Sequence, residues 1–78
     1  MPTILRIKNY RFFFFSREFN EPPHIHVESD DNYAKFWLDP VELSRSVGYD
    51  ARELNDIRKL IITKCILFKE KWNEYFSR

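Results

Sequence analysis

The stretch EPPHIHV at residues 21–27 restricts the fold more than any other part of the chain. Its two consecutive prolines fix φ and remove two backbone N–H donors, so the chain cannot be helical or central in a sheet before His24. A strand is therefore predicted to begin at about His24. Because side chains alternate along a strand, His24, His26 and Glu28 should share one face, while the intervening isoleucine and valine point into the core.

Three further strands are predicted around this one. The alternation in Thr3–Lys8 is typical of a half-buried strand, and Asn9 can turn the chain because asparagine tolerates the left-handed conformation. Four consecutive phenylalanines make the return strand, Tyr10–Phe15, apolar on both faces, so it should be central or covered on its second side. The short polar residues of Ser29–Asn32 predict a second hairpin leading into Tyr33–Leu38.

Two helices are predicted after the strands. Asp39 as a capping residue, followed by Pro40 and an acid, indicates a short helix that Gly48 can end in the left-handed conformation. A capping box at residues 50–53 begins one long amphipathic helix, expected over Ala51–Phe76. Its apolar stripe recurs at spacings of three and four residues and consists of Leu54, Ile57, Ile61, Cys65, Phe68, Trp72 and Tyr75.

The pattern as a whole predicts a single α+β domain over residues 1–78. A four-stranded antiparallel meander should pack one face against the long C-terminal helix, with the short helix before it. With 78 residues, of which 44% are hydrophobic, the chain is long enough for one core only. Its eight phenylalanines, four tyrosines and two tryptophans exceed what a thin core needs, so a partner or a homodimer is expected to cover some of them.

Charge and cysteine content limit the class of partner and the compartment. The formal charge of +1 provides no bulk attraction to nucleic acid or to an anionic membrane, so any basic patch requires segregation between faces. Cys65 is the only cysteine, which suits a reducing interior and a small core residue. No apolar stretch has the length of a signal peptide core or a membrane span, so we expect a cytoplasmic protein without a membrane partner.

The histidine face could support chemistry on a phosphodiester. Cleavage needs a general base, a general acid and cations that stabilise the phosphorane oxygens, and His24, His26 and Glu28 are the candidate catalytic residues. Tyr33 and Trp37 could stack a base. The residues predicted to bind the substrate on or near this face are Arg6, Arg11, Tyr33, Lys35 and Trp37.

Two other interpretations of the same face remain open. Two imidazoles on one strand face could bind a metal, but a catalytic zinc needs three protein ligands. The third would have to be Glu28, Glu21 or Asp39, none at a diagnostic spacing, so no metal or cofactor is assigned. Alternatively, the histidines are partly exposed and bonded to backbone or to Tyr33, and their exchange for alanine would cost only about half a kcal/mol.

The chain also resembles a known family of small bacterial proteins, the uncharacterised-domain family numbered 4160. The resemblance covers nearly the full length, and its most specific element is the PPHIHV sequence. It rests on Met1–Ile4, Arg6–Ile7, Tyr10–Phe13, Glu21–Val27, Ala34–Leu38, the segment after Pro40, and Trp72, Tyr75 and Phe76. Lys8-Asn9 departs from the glycine-containing turn common at this point in the family.

The resemblance implies that the gene lies beside that of a partner protein, and this arrangement suggests a function. Members of this family look like short cytoplasmic proteins encoded beside a second small family, numbered 2442, which implies a toxin and antitoxin pair. We therefore expect a toxin-like component of a two-protein module, directed at RNA or translation through His24 and His26, with a cognate small protein as partner. The alternative is a non-catalytic interaction module that docks its partner or forms a homodimer.

Overall fold

A computed structural model describes residues 3–18 and 20–76 as five strands followed by two helices. The elements are β1 (Thr3–Ile7), β2 (Tyr10–Phe13), β3 (His24–Ser29), β4 (Asn32–Leu38), β5 (Val41–Val47), α1 (Ala51–Thr63) and α2 (Cys65–Phe76). The strands form one antiparallel meander in the order β1-β2-β3-β4-β5. The predicted α+β class and the antiparallel meander are therefore confirmed.

Both predicted hairpins have two-residue turns, Lys8–Asn9 and Asp30–Asp31. The first residue of each turn has a positive φ, 56° at Lys8 and 53° at Asp30. The left-handed residue of the first turn is thus Lys8 and not Asn9, the residue that the sequence favoured. A lysine in this conformation carries a small steric cost, which the pairing of the two strands must outweigh.

The predicted count of four strands and the predicted short helix after Pro40 are both wrong. Residues 41–47 form β5, which pairs antiparallel with β4 and carries an irregularity opposite Lys35 and Phe36. Asp39 and Pro40 form the turn before it and do not cap a helix. Pairing with β4 satisfies backbone groups along a whole strand, which outweighs a local capping signal at the end of a short helix.

The predicted long helix consists of two helices that meet at Lys64. The predicted capping box is confirmed: the Asp50 carboxylate accepts from the Glu53 N–H at 2.8 Å, and the Glu53 carboxylate accepts from the Asp50 N–H at 3.1 Å. Lys64 leaves the helical region with φ −102° and ψ 14°. The preceding Thr63 hydroxyl donates to the Lys59 carbonyl at 3.0 Å, a bond that tends to bend helices.

The core lies between the helices and one face of the sheet. Its buried side chains are Phe12, Phe14, Ile25, Val27, Ala34, Phe36, Leu38, Tyr49, Ile57, Ile61, Phe68 and Trp72. The predicted helical stripe is confirmed at Ile57, Ile61, Phe68 and Trp72, whereas Tyr75 is exposed. Cys65 is half-buried, and its thiol donates to the Leu38 carbonyl at 3.3 Å.

Within residues 3–18 and 20–76, neither helix combines the length and the apolar character needed to cross a membrane.

Candidate functional site

The strand register places the predicted site residues on one face of the sheet, opposite the helices. Residues paired directly across two strands project to the same face, and His26 lies between Phe13 on β2 and Lys35 on β4. His24 pairs with Trp37 in the same way. The face gathers all eight residues that the sequence singled out, which are Arg6, Arg11, His24, His26, Glu28, Tyr33, Lys35 and Trp37.

The two histidines on this face are buried, because the β2–β3 connection (residues 14–18 and 20–23) folds back over them. His24 is 0% exposed and His26 is 1% exposed. The ring centroid of Phe15 lies 4.3 Å from that of His26, and the Phe13 ring stacks on the same imidazole at 5.4 Å. The expectation of partly exposed histidines is therefore wrong, as is the half a kcal/mol expected for their exchange. Removing either leaves buried polar groups unpaired, at a cost of about 1–3 kcal/mol.

Tryptophans from two different elements cover His24. Its ring centroid lies 5.6 Å from that of Trp37 on β4 and 4.8 Å from that of Trp72 on α2. Trp72 also packs edge-on against Phe14 at 5.3 Å, so it connects the helical layer to the covered face. The burial of His24 thus depends on α2 as well as on the β2–β3 connection.

The backbone before β3 presents Glu18 to the histidines. The Glu21 N–H donates to the Glu18 carbonyl at 3.1 Å, which closes a turn. The chain then runs through Pro22 and Pro23, where the Pro23 carbonyl accepts from the Leu38 N–H at 3.1 Å. The predicted start of the strand at His24 is confirmed.

One oxygen of Glu18 contacts both imidazoles. Glu18 Oε1 lies 2.7 Å from His24 Nε2 and 2.6 Å from His26 Nε2. One ligand atom from each of the three residues lies within 4.8 Å of the other two. The Glu18 side chain is 20% exposed and forms the solvent side of the cluster. The carboxylate that contacts both histidines is thus Glu18. Of the three considered from the sequence, Glu21 lies 3.9 Å from His24 Nδ1.

The second nitrogen of each imidazole has its own partner. His24 Nδ1 lies 2.9 Å from the Pro22 carbonyl oxygen, and His26 Nδ1 lies 2.7 Å from the Tyr33 hydroxyl. The suggestion that the histidines bond to backbone or to Tyr33 is correct, one partner for each ring. These bonds fix both rings so that each Nε2 points at Glu18.

One family model matches residues 9–73, and its description is Domain of unknown function (DUF4160). The chain belongs to this family. The match includes the whole cluster of Glu18, His24 and His26 and confirms the resemblance found from the sequence. Met1 and Pro2, which also carried that resemblance, lie outside both the match and the described residues. No curated protein and no solved structure matches the chain.

Burial and hydrogen bonding set the charges of this DUF4160 cluster. Burial lowers the pKa of His26 below its ordinary value, although the hydrogen bond to Glu18 and the charge of Glu18 oppose this. Burial acts to raise the pKa of Glu18, but hydrogen bonds from His24 and His26 outweigh it and lower that pKa overall. Near neutral pH the cluster therefore contains a carboxylate and a neutral His26 imidazole.

Three of the other predicted catalytic and cationic residues of the DUF4160 chain, Glu28, Arg11 and Lys35, form ion pairs with each other or with the β2–β3 connection. Arg11 Nη1 lies 2.8 Å from Glu28 Oε2, so Glu28 pairs with an arginine, not with the histidines. Lys35 Nζ lies 2.8 Å from Glu21 Oε1 and 4.5 Å from the centre of the Trp37 ring. These contacts hold Arg11 and Lys35 against the protein, whereas Arg6, the third predicted substrate-binding cation, is exposed.

Sequence reasoning missed Glu18, the residue that completes the cluster. It precedes His24 by six residues in a stretch that the sequence shows only as polar. No strand or helix periodicity relates it to the histidines, because an irregular turn brings it there. The one sequence feature that could have indicated Glu18 is that it is a carboxylate in the segment leading into the strand of the two histidines.

Proposed function

We propose that this DUF4160 chain is the toxin-like component of a two-protein module and that it acts by binding its target, without catalysis by His24 and His26. The observation that carries the proposal is the burial of both imidazoles together with a partner for each ring nitrogen. A general base or acid must come within hydrogen-bond reach of the reacting group. Neither ring offers a nitrogen to a phosphodiester outside the protein.

The outer edge of β5 is the surface that best suits a partner. β5 is the last strand of the sheet, so one row of its backbone N–H and C=O groups is not used in pairing with β4. Leu43 is 45% exposed and Val47 is 52% exposed on this strand. Large apolar side chains beside an open strand edge favour a partner that adds a strand of its own. The cognate small protein implied by the family resemblance is the partner we assign to this edge.

The experiment is expression of the full chain in a bacterial host, alone and together with the neighbouring gene. We expect growth arrest that the neighbour relieves, and co-purification of the two proteins. Leu43→Glu combined with Val47→Glu should abolish co-purification, because two buried carboxylates at an interface are costly. Ile66→Glu is the matched control. Ile66 is 76% exposed and belongs to α2, not to β5, so this variant should still co-purify.

Two results would contradict the proposal. If the chain is harmless alone and does not bind the neighbouring protein, the two-protein module is wrong. If a His26→Asn variant still folds and still co-purifies with the neighbouring protein but loses toxicity, binding is not the mode of action and RNA cleavage through the histidines replaces it. RNA from arrested cells, sequenced for cleavage ends, then identifies the substrate.

A further inference from the structure

We propose that Glu18, His24 and His26 form a binding site for one divalent first-row transition-metal ion, with zinc as the ion best suited to it. The ligand atoms are Glu18 Oε1 and the Nε2 atoms of both histidines. This inference is independent of the proposed function, since it concerns only the three side chains and the segment that carries Glu18.

The first argument concerns the protons on His24. Its Nδ1 faces the Pro22 carbonyl oxygen at 2.9 Å, and its Nε2 faces a Glu18 carboxylate oxygen at 2.7 Å. Both partners only accept hydrogen bonds, while a neutral imidazole has a single N–H. If that N–H is on Nδ1, the lone pair of Nε2 points directly at a carboxylate oxygen. A metal cation between the two atoms turns this repulsion into two ligand bonds.

The same arrangement is available to His26. Its Nδ1 contacts the Tyr33 hydroxyl, which can donate or accept. When Nδ1 donates to Tyr33, the lone pair of His26 Nε2 also points at Glu18 Oε1, 2.6 Å away. A carbonyl and a hydroxyl behind the two imidazoles are the partners that orient metal-ligating histidines in proteins.

The three ligand atoms lie within 4.8 Å of one another, so the imidazole rings as well as Glu18 have to shift before all three reach one ion. Zinc binds imidazole nitrogen at about 2.0–2.1 Å and carboxylate oxygen at about 2.0–2.2 Å, which separates two ligands at a tetrahedral angle by about 3.3 Å. Glu18 Oε1 would retreat by roughly half an ångström from each histidine. Glu18 can do this because it lies on the β2–β3 connection and is partly exposed, while the imidazoles reach the ion by small rotations of their side chains on β3.

The donor set selects the class of metal. Two imidazoles and one carboxylate suit zinc, iron and related transition ions, while calcium and magnesium prefer all-oxygen sites. Three protein ligands leave a further coordination position for water on the side where Glu18 meets solvent. Bound metal would join the β2–β3 connection to β3, so metal and the folded state should stabilise each other.

The test uses the full chain purified without a histidine tag and treated with a chelator that is then removed. Zn²⁺ is then added and the excess is removed by dialysis. We expect one Zn²⁺ per chain by elemental analysis and a Zn²⁺-dependent rise in the melting temperature. Protein loaded with Co²⁺ instead should show an absorption spectrum typical of a nitrogen and oxygen site. Mg²⁺ and Ca²⁺ should leave the melting temperature unchanged. Glu18→Gln should weaken zinc binding at least tenfold, and Tyr33→Phe by about tenfold.

Glu21→Gln is the matched control, because Glu21 is another carboxylate of the same connection but pairs with Lys35 at 2.8 Å and lies 3.9 Å from His24 Nδ1, the nitrogen that does not face the ion. Its zinc affinity should stay within about twofold of the wild type. Substoichiometric zinc, an unchanged melting temperature, or equal losses in the Glu18 and Glu21 variants would overturn the proposal. If ¹⁵N NMR shows that both His24 nitrogens stay protonated after zinc is added, the cluster is a buried ion pair instead. Circular dichroism at the assay temperature verifies that each variant is folded.

Discussion

At the scale of single residues, both the backbone conformation and a neighbouring side chain require a glycine at position 48. Its φ is +94°, a conformation that residues with a Cβ rarely adopt. A Cβ at this position would also lie 2.2 Å from Asn32 Oδ1 and 3.0 Å from Asn32 Cγ. Gly48 therefore ends β5 for both a backbone reason and a steric one, although the sequence assigned it to the end of a helix.

Gly48→Ala should lower the free energy of unfolding by about 1–3 kcal/mol, because it adds backbone strain and forces the Asn32 side chain to move. Urea unfolding followed by tryptophan fluorescence measures the loss. The same substitution in an Asn32→Ala background removes most of the contact and leaves the strain, so it should cost less. Equal costs in the two backgrounds would show that only the backbone conformation matters, and no cost in either would contradict the prediction.

At the scale of elements, the break at Lys64 divides the predicted long helix into two helices that pack on different strands. α1 packs against β5 and α2 against β4. The apolar stripe continues through the break, because Ile61 before it and Phe68 after it are both 0% exposed. The predicted face of the helix therefore holds even though the predicted length does not.

Two adjacent isoleucines on α1 test this face. Ile61 is 0% exposed and Ile62 is 47% exposed. Ile61→Ala should lower the free energy of unfolding by about 2–4 kcal/mol through the lost burial and the cavity left behind. Ile62→Ala should lower it by less than about 1 kcal/mol. Chemical denaturation at several protein concentrations measures both, and a large, concentration-dependent cost at Ile62 would instead place that residue in a homodimer.

At the scale of the whole molecule, the sheet is covered on both faces by different means. The helices cover the face of Phe12, Ile25 and Phe36, and the β2–β3 connection covers the histidines on the other face. The return strand predicted over Tyr10–Phe15 ends at Phe13, so only two of the four phenylalanines lie in it. Its predicted cover on the second side is confirmed, since Phe13 packs on His26. A small domain gains buried area in this way without a second layer of helices.

Burial of tyrosines in this core should make global stability depend on alkaline pH. Burial raises the pKa of Tyr49 and of Tyr10 above the ordinary value. The unfolded state loses these protons at about pH 10, while the folded state retains them to higher pH, so stability should fall as pH rises above about 10. Chemical denaturation at a series of pH values should show that the free energy of unfolding falls less steeply above about pH 10 for Tyr49→Phe than for the wild type. Identical slopes would contradict the assignment.

The parts of the fold that follow from local patterns could be predicted from the sequence. The alternation of His24 to Glu28, the two prolines before it and the capping box at Asp50 each depend on neighbours within a few residues. Strand periodicity also placed Lys35 and Trp37 on the histidine face, because a one-residue shift would have put apolar side chains into solvent. These residues share a face in the structure as the alternation predicted.

The parts that only the tertiary structure decided depend on contacts between residues distant in sequence. Residues 41–47 carry a helix-start signal, yet they form a strand because the edge of β4 is there to pair with. Glu18 reaches His24 and His26 because an irregular turn and the packing of Phe15 carry it there. The sequence by itself determined which side chains share a face. The path of the β2–β3 connection determined that the histidines are buried and contact a carboxylate, and no local periodicity encodes that path.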